Sequence, residues 1–258
     1  MVPLDTHLDA ITQAVRPERL LLASDFDGTL AAMTAVPGSS RPLPVALAAL
    51  RILVPRLLRT AVISGRSLAD LARRLPVPGL ELHGDYGLDE PDAASAARLR
   101  EFAEAAAERL PSGARLEVKS ASLSLHFRDR PDAYPALARL ATELAAHHGL
   151  DARRGRFVIE VFPAGADKTD CLRRLIARDG PAAVIFAGDD SGDAGCFRLL
   201  QALDRPHLAV GVASGETDPE VFAACDVVVS GPESWAGGLS RLARWATAPA
   251  PGDPAPGG

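Results

Sequence analysis

The chain has 258 residues, and its 47% of hydrophobic and 24% of charged side chains predict a globular protein with one large domain or two modest ones. A net charge of −5 argues against a nucleic-acid partner, and no segment approaches the roughly 18 consecutive apolar residues of a membrane span. The three cysteines are widely spaced and form no CxxC pair, which argues against disulfides and zinc. The first segment has no basic and apolar leader pattern, and we therefore expect a cytoplasmic protein.

Strands and helices alternate over the first 90 residues, as they do in parallel sheets with helical crossovers. Apolar runs indicate buried strands, and apolar residues at helical spacing indicate helices. The predicted elements are helices at 4–16, 44–58 and 67–75, an irregular stretch at 31–44, and strands at 19–24, 60–63 and 80–83.

The pattern changes between residues 91 and 163, where the order helix–strand–strand occurs twice. This order is typical of an antiparallel sheet with one helical face. The predicted elements are helices at 92–110 and 131–148, a hairpin of strands 114–119 and 122–128, and a second hairpin of strands 150–153 and 156–162 that turns at Arg154-Gly155.

The strand–helix alternation returns after Pro163. The predicted elements are a helix from 167 to about 178, strands at 182–187, 207–212 and 226–230, and a helix at 234–246. We therefore predict an α/β protein with a Rossmann-like parallel-sheet core (1–90 and 164–247), an inserted α+β domain (91–163) and a disordered Pro/Gly-rich tail (248–258).

Two carboxylates follow the first predicted strand, in the sequence Asp25-Phe26-Asp27-Gly28. Ligands bind at this end of the strands in open α/β sheets. A carboxylate can act as a nucleophile in phosphoryl transfer, which suggests Asp25 as nucleophile and Asp27 as general acid and base. Turn formation by Asp-Gly is the simpler alternative for this motif in isolation.

Three more acids, Asp189, Asp190 and Asp193, follow the strand predicted at 182–187. Together the two acidic strand ends offer enough carboxylate oxygens for Mg²⁺, a hard cation that prefers oxygen ligands. A solvated acidic turn is the alternative, and it loses weight because two independent strand ends carry such acids.

Ser64 and Lys168 complete the set of candidate residues. Ser64 ends a strand just before a helix, where a hydroxyl, backbone N–H groups and the positive helix end favour a phosphate; a serine that only caps the turn is the alternative. Lys168 begins a helix and can neutralise a phosphate and screen carboxylates, whereas a lone lysine is more often a surface residue.

The four motifs, in this order and at these strand ends, resemble those of the haloacid-dehalogenase-like phosphatases over about 19–90 and 165–245. The resemblance implies a phosphatase with a phosphoaspartyl intermediate on Asp25, with Asp27 as the acid and base. It implies Mg²⁺ as the cofactor, and Ser64 and Lys168 as ligands of the phosphoryl group. The implied metal ligands are Asp25, the backbone carbonyl of Asp27, Asp189 and, directly or through water, Asp190 and Asp193.

Polar side chains of the predicted inserted domain are candidates for recognising the ester. Glu117 and Lys119 share one face of a strand, His126 and Arg128 share one face of the next, and Glu160 lies on the last strand. Such a mixture donates and accepts many hydrogen bonds at once, which sugar hydroxyls need. Plain exposure of one sheet face to solvent is an equally weighted alternative.

The sequence resembles trehalose-6-phosphate phosphatases over nearly the whole chain. The resemblance is carried by these five residues, Ser64-Gly65-Arg66, the loop from Gly84 to Asp89 and the sequence from Glu160 to Pro163. The departures from that family's common residues are Tyr86 for His, Asp89 for Glu, Phe162 for Arg and Gly192 for Thr. Closure of the inserted domain is expected because water must be excluded and then admitted, with hinges near residues 90 and 163. The resemblance implies a disaccharide-binding set supported at the phosphate by Arg66, namely Glu117, Lys119, His126, Arg128 and Glu160.

The resulting expectation is a monomer whose partner is a small-molecule sugar phosphate, acting in the last step of trehalose biosynthesis. Another sugar phosphate, such as that of glucosylglycerate or sucrose, is the nearest alternative substrate. A catalytically inactive module that binds a sugar phosphate or a protein partner is the alternative from a different class.

Overall fold

The computed structural model describes residues 2–34, 39–88, 93–119, 121–155, 157–164, 167–214 and 217–248. The chain divides into two compact units. The core unit consists of Met1–Ser64, Ala69–His83 and Lys168–Gly258, and the inserted unit consists of Gly65–Leu68 and Gly84–Asp167. The predicted inserted domain falls within the second unit, and its assignment as a separate functional domain stays a prediction. The predicted hinge at residue 90 and positions 249–258 of the predicted tail lie outside the described residues.

The α-helices and strands are numbered in chain order. The helices are α1 (Leu4–Ala14), α2 (Pro44–Leu53), α3 (Leu68–Arg74), α4 (Ala93–Arg109), α5 (Tyr134–His148), α6 (Lys168–Asp179), α7 (Ala194–Gln201) and α8 (Gly231–Thr247). The strands are β1 (Leu20–Ser24), β2 (Arg59–Ile63), β3 (Glu81–His83), β4 (Arg115–Val118), β5 (Leu123–His126), β6 (Leu150–Gly155), β7 (Val158–Pro163), β8 (Ala183–Gly188), β9 (His207–Ala213) and β10 (Val227–Ser230).

The core unit has a parallel sheet of six strands in the order β10-β9-β8-β1-β2-β3. Strand β1 is central and buried along its whole length. Leu20 and Leu22 join an apolar cluster with α2 and α8, while Leu21 and Ala23 join a cluster with α6 and α7 on the opposite face. Each fully buried leucine contributes about 1.5–3 kcal/mol, so the strand that carries Asp25 is firmly held. The predicted parallel-sheet fold is confirmed.

The inserted unit has an antiparallel sheet in the order β4-β5-β7-β6, with α4 and α5 packed on one face. Leu99 and Phe102 of α4 meet Leu137 and Leu144 of α5 in this second apolar cluster, together with Val161 of β7. The element order is helix–strand–strand, twice, as the sequence predicts.

Two local predictions were wrong, and one helix was missed. Helix α2 ends at Leu53 rather than near 58, because Pro55 has no N–H to donate to the preceding turn. The second hairpin of the inserted unit does not turn at Arg154-Gly155: Gly155 is still paired in β6, opposite Val158. Helix α7, which buries Cys196, Phe197 and Leu200, was not predicted.

Among the described residues, none of the helices combines the length and the apolar character that spanning a bilayer requires.

Candidate active site

A cluster of buried carboxylates lies at the carboxyl ends of β1 and β8. These strands are neighbours, and the backbone N–H of Asp25 donates to the carbonyl of Ala187 at 2.8 Å. One carboxylate oxygen from each of Asp25, Asp189 and Asp193 lies within 4.8 Å of the others, and all three residues are buried. The pairing of β1 with β8 therefore brings together acids that are more than 160 residues apart in sequence.

Burial and mutual repulsion oppose ionisation of this cluster. Burial raises the pKa of Asp25 to about 6, with the carboxylates of Asp190 and Asp27 adding to the rise and Lys168 opposing it. Burial, followed by the charge of Asp25, raises the pKa of Asp189 well above its usual value. The pKa of Asp193 is also raised well above its usual value by burial, although Lys168 opposes that rise. A cation bound among these groups would favour their ionised forms.

Lys168, the first residue of α6, supplies positive charge inside the cluster. Its Nζ lies 2.9 Å from Oδ1 of Asp25 and 2.8 Å from Oδ1 of Asp193, and the side chain is only 2% exposed. Burial lowers the pKa of Lys168, but the charges of Asp193 and Asp25 outweigh burial and hold it well above its usual value. The ammonium therefore stays charged at neutral pH.

Asp193 also organises the loop that follows β8. Its Oδ2 accepts the backbone N–H groups of Asp189 at 3.0 Å and Asp190 at 3.2 Å. A Cβ at Gly188 would lie 2.3 Å from the Asp193 carboxyl carbon, so this close approach requires glycine. Asp193 thus holds the position of Asp189 in addition to pairing with Lys168.

The two acids predicted beside this cluster occupy more open positions. The side chain of Asp190 is 60% exposed, its Oδ1 accepts the N–H of Gly192 at 2.8 Å, and it lies 4.0 Å from Lys168. Asp27 is half-buried and lies beyond the end of β1, and its Oδ1 accepts a hydrogen bond from Ser40 at 3.0 Å. Neither joins the three-carboxylate group among the described residues, and their metal roles stay predictions.

The turn after Asp27 depends on a glycine and a threonine. Gly28 has φ +78°, and a Cβ there would lie 2.0 Å from Oδ2 of Asp189, so any larger residue would displace that carboxylate. The hydroxyl of Thr29 donates to Oδ1 of Asp189 at 3.3 Å. The Asp-Gly-Thr sequence is therefore both a turn and a support for Asp189.

Ser64 lies at the carboxyl end of β2, the other neighbour of β1. It is buried, and its N–H donates to the carbonyl of His83 at 2.9 Å. The ends of β8, β1 and β2 thus carry, in order along the sheet, the acidic loop, the Asp25 motif and Ser64.

The three buried carboxylates fit a magnesium ion. They offer oxygen donors only, and their charges repel one another at short range. Both oxygens of Asp193 accept hydrogen bonds, whereas Lys168 contacts Asp25 through Oδ1 and Thr29 contacts Asp189 through Oδ1. Asp25 and Asp189 are therefore the best placed of the predicted ligands.

The inserted unit carries a second group of polar residues, on the sheet face opposite α4 and α5. We call Glu117, Lys119, His126 and Glu160 the polar sheet face. Nε2 of His126 lies 2.7 Å from Oε2 of Glu117, and Nζ of Lys119 lies 3.1 Å from Oε1 of Glu160. Lys119 also donates to the carbonyl of Gly65 at 3.2 Å. These residues form two opposite-charge pairs when the histidine is protonated.

The two predicted arginines lie elsewhere in the inserted unit. Arg128 lies two residues beyond the end of β5, and its guanidinium is 5.1 Å from the centre of the Phe157 ring. Arg66 belongs to the Gly65–Leu68 segment, and its carbonyl accepts the N–H of Asp85 at 2.8 Å. Their proposed contacts with substrate remain predictions.

Sequence reasoning overlooked three further residues of these two groups. Ser40 donates to Asp27, and Asp85 is buried and accepts the hydroxyl of Ser122 at 2.7 Å. Arg153 lies over the rings of both Tyr86, at 5.5 Å, and Phe162, at 5.1 Å. An acid inside a Gly-rich loop was a usable signal for Asp85, whereas Ser40 lies in an irregular stretch with no pattern.

The fold is shared with known hydrolases. A solved haloacid dehalogenase-like hydrolase from Bacteroides thetaiotaomicron has a TM-score of 0.65 at 16% identity, covering 86% of this chain and 98% of that chain. The C-terminal domain of a C. albicans trehalose-6-phosphate phosphatase has a TM-score of 0.74 at 20% identity, covering 94% of this chain and 97% of that chain. The protein therefore has the fold of the haloacid dehalogenase-like hydrolases.

The sequence places the chain more narrowly within that class. A sequence model of the trehalose-phosphatase family matches residues 23–224. A trehalose-phosphate phosphatase of Mycobacterium marinum is 33% identical over 249 aligned positions, covering 85% of this chain. The chain belongs to the trehalose-phosphatase family, which confirms the resemblance seen in the motifs. It spans 63% of the length of the M. marinum relative.

Proposed function

We propose that the protein hydrolyses trehalose 6-phosphate to trehalose and phosphate, through a phosphoaspartyl intermediate on Asp25 and with Mg²⁺ as cofactor. The observation that carries the proposal is the buried cluster of Asp25, Asp189 and Asp193 around the ammonium of Lys168. Membership of the trehalose-phosphatase family supports the same chemistry.

Each reacting atom has a candidate group in the core unit. Asp25 attacks phosphorus, and a bond from its carboxylate oxygen forms as the ester P–O bond breaks. With a pKa of about 6, Asp25 is largely ionised at neutral pH, as a nucleophile must be. Asp27 gives its proton to the leaving sugar oxygen, then takes a proton from the water that attacks the phosphoaspartate and releases phosphate and free Asp25.

Charge neutralisation accompanies both steps. Lys168 already contacts the nucleophile at 2.9 Å, so it is placed to neutralise charge on the transferring phosphoryl group, with Ser64 as a hydrogen-bond donor. Asp25 and Asp189 would hold Mg²⁺, with Asp190, Asp193 and the carbonyl of Asp27 as further or water-mediated ligands. When bound, the ion would add positive charge beside the phosphoryl oxygens.

We assign recognition of the sugar to the polar sheet face and Arg128, and support of the phosphate to Arg66. The paired carboxylates, ammonium and imidazole of the polar sheet face both donate and accept hydrogen bonds, as a disaccharide requires. Another sugar phosphate would suit a face of this composition too, and it is the second candidate substrate. A cytoplasmic location and a monomeric state remain predictions.

The test is phosphate release with Mg²⁺ from trehalose 6-phosphate, glucose 6-phosphate, sucrose 6-phosphate and an aryl phosphate. We expect the highest kcat/KM for trehalose 6-phosphate, and loss of turnover when a chelator removes the metal. Turnover of the other esters alone would keep the mechanism and reject the sugar assignment. Absence of turnover on all four would favour a binding module.

A further inference from the structure

Ser40 lies in the irregular stretch between β1 and α2, and its hydroxyl is directed at the proposed acid and base. The Oγ donates to Oδ1 of Asp27 at 3.0 Å. Ser40 is 1% exposed, so water does not compete for this hydrogen bond. One of the two carboxyl oxygens of Asp27 is thereby occupied by a fixed donor.

The backbone of Ser40 is itself held in place by α3. Nη1 of Arg74 donates to the carbonyl of Ser40, and Nη1 of Arg41 donates to the same carbonyl at 2.9 Å. Nε of Arg74 is held by Oδ2 of Asp70 at 2.7 Å, and the Arg74 side chain is 8% exposed. A chain of hydrogen bonds thus runs from Asp70 through Arg74 and Ser40 to Asp27.

We propose that Ser40 is a positioning residue for Asp27, and that Arg74 acts through it. The hydroxyl of Ser40 donates to Oδ1, so the transferable proton of the acid form is carried by Oδ2. In the first step the Oδ2–H bond breaks, the leaving oxygen gains the proton, and Asp27 becomes a carboxylate. The Ser40 hydrogen bond strengthens as that charge forms, because hydrogen bonds to ionised acceptors are stronger. The inference rests on the acid role of Asp27 in the proposed function.

The diagnostic property is dependence on the leaving group. A sugar alcohol leaves only with a proton, whereas nitrophenolate leaves as a stable anion and needs little help from an acid. The parameter kcat/KM is compared because it covers the steps up to phosphoryl transfer and not the later hydrolysis. For Ser40→Ala we expect kcat/KM to fall about ten- to a hundredfold for trehalose 6-phosphate, the effect of losing one hydrogen bond to a charged group. We expect less than about a threefold change for p-nitrophenyl phosphate.

Matched variants separate positioning from general structural damage. Ser39→Ala removes an exposed hydroxyl from the neighbouring position and should leave both substrates unaffected. Ser40→Thr keeps the hydroxyl and should restore most of the activity. Arg74→Gln should also lower kcat/KM for trehalose 6-phosphate more than for p-nitrophenyl phosphate, but by a smaller factor than Ser40→Ala. Arg73→Gln is the control for Arg74→Gln, because Arg73 also pairs with Asp70 but its side chain is 73% exposed. This variant should change kcat/KM for neither substrate.

A double-variant cycle tests whether Ser40 acts through Asp27. In an Asp27→Asn background, Ser40→Ala should add little further loss on trehalose 6-phosphate. Equal losses on both substrates, or an undiminished effect of Ser40→Ala in that background, would overturn the inference. If Asp27→Asn shows the leaving-group pattern and Ser40→Ala does not, this inference alone fails. If the wild-type chain does not turn over trehalose 6-phosphate at all, the proposed function fails and this inference with it.

Discussion

Replacing Lys168 with methionine tests the electrostatics of the buried site directly. Methionine is similar in length and apolar, so the change removes the ammonium with little change in volume. It leaves Asp25 and Asp193, each within 3 Å of Nζ in the wild-type chain, without their cationic partner. The property to follow is the free energy of unfolding without metal, because a bound cation would screen the same charges.

The expected loss of stability depends on pH. Removing one partner of a buried ion pair costs about 3–5 kcal/mol. An orphaned carboxyl can instead take up a proton, which costs about 1.4 kcal/mol for each pH unit above its ordinary pKa near 3.9. At pH 8 protonation costs about 5.6 kcal/mol, which is no less than the cost of leaving the carboxylate charged. At pH 5.5 protonation costs only about 2 kcal/mol, and the protonated carboxyl can donate a hydrogen bond to the other carboxylate. A carboxyl whose pKa is raised in the folded state destabilises the fold above that pKa and ceases to do so as the pH falls.

Urea unfolding in a chelating buffer at the two pH values measures the effect. We expect Lys168→Met to lose about 3–5 kcal/mol at pH 8 and about 2 kcal/mol at pH 5.5. Lys119→Met is the matched control, because Lys119 is the only other lysine in the sequence and its Nζ lies 3.1 Å from Oε1 of Glu160. Its loss should be smaller, about 1–2 kcal/mol, and should vary less with pH, because the Lys119 and Glu160 side chains are 13% and 14% exposed, against 2% and 0% for Lys168 and Asp193. An equal loss for Lys168→Met at both pH values would refute the reasoning.

Three further predictions concern catalysis and acid stability. Asp25→Asn should reduce phosphate release from trehalose 6-phosphate by at least about a thousandfold without loss of the fold by circular dichroism, and substantial residual turnover would rule out Asp25 as the nucleophile. Glu117→Ala, which removes the partner of His126, should lower kcat/KM for trehalose 6-phosphate about tenfold and spare an aryl phosphate, and equal losses would mean that the polar sheet face does not recognise the sugar. The pKa of Asp179 is lowered to about 2, first by its hydrogen bond with Arg178, so its stabilisation is present above its ordinary pKa of 3.8 and is lost as the pH falls toward 2. Asp179→Asn should lower the free energy of unfolding, measured in urea at pH 7, by about 1 kcal/mol, a small value because the Arg178 side chain is half-exposed. The difference in unfolding free energy between variant and wild type should narrow near pH 3.5, and an unchanged difference would contradict the prediction.

The site in the core unit was largely predictable because its residues lie at strand ends. An apolar run such as Leu20–Ser24 identifies a buried parallel strand, and the carboxyl ends of adjacent strands share one edge of the sheet. That rule brings Asp25 and Asp189 together without knowledge of any side-chain position. The sequence alone predicted no strand order, so the adjacency of β8 and β1 is a finding of the structure.

The parts that escaped prediction depend on contacts without a sequence pattern. The hydrogen bond from Ser40 to Asp27 spans 13 positions of irregular chain. Gly155 looked like a turn residue, yet it pairs with Val158, and Phe157 beside it adopts φ +57°, a conformation that sequence rules assign to glycine. In that hairpin the strand register outweighed the local preference for a glycine turn.

The central place of β1 in the sheet sets an order for folding during synthesis. Its neighbour β8 follows about 160 residues later, which at roughly 5–20 residues per second is a delay of about 8–30 s. The inserted unit is complete in sequence at Asp167, so it can form before the sheet that it interrupts. Until β8 leaves the ribosome, the nascent chain exposes one unpaired edge of β1, a strand that is buried along its whole length in the folded protein, and such an edge is a template for association with other chains.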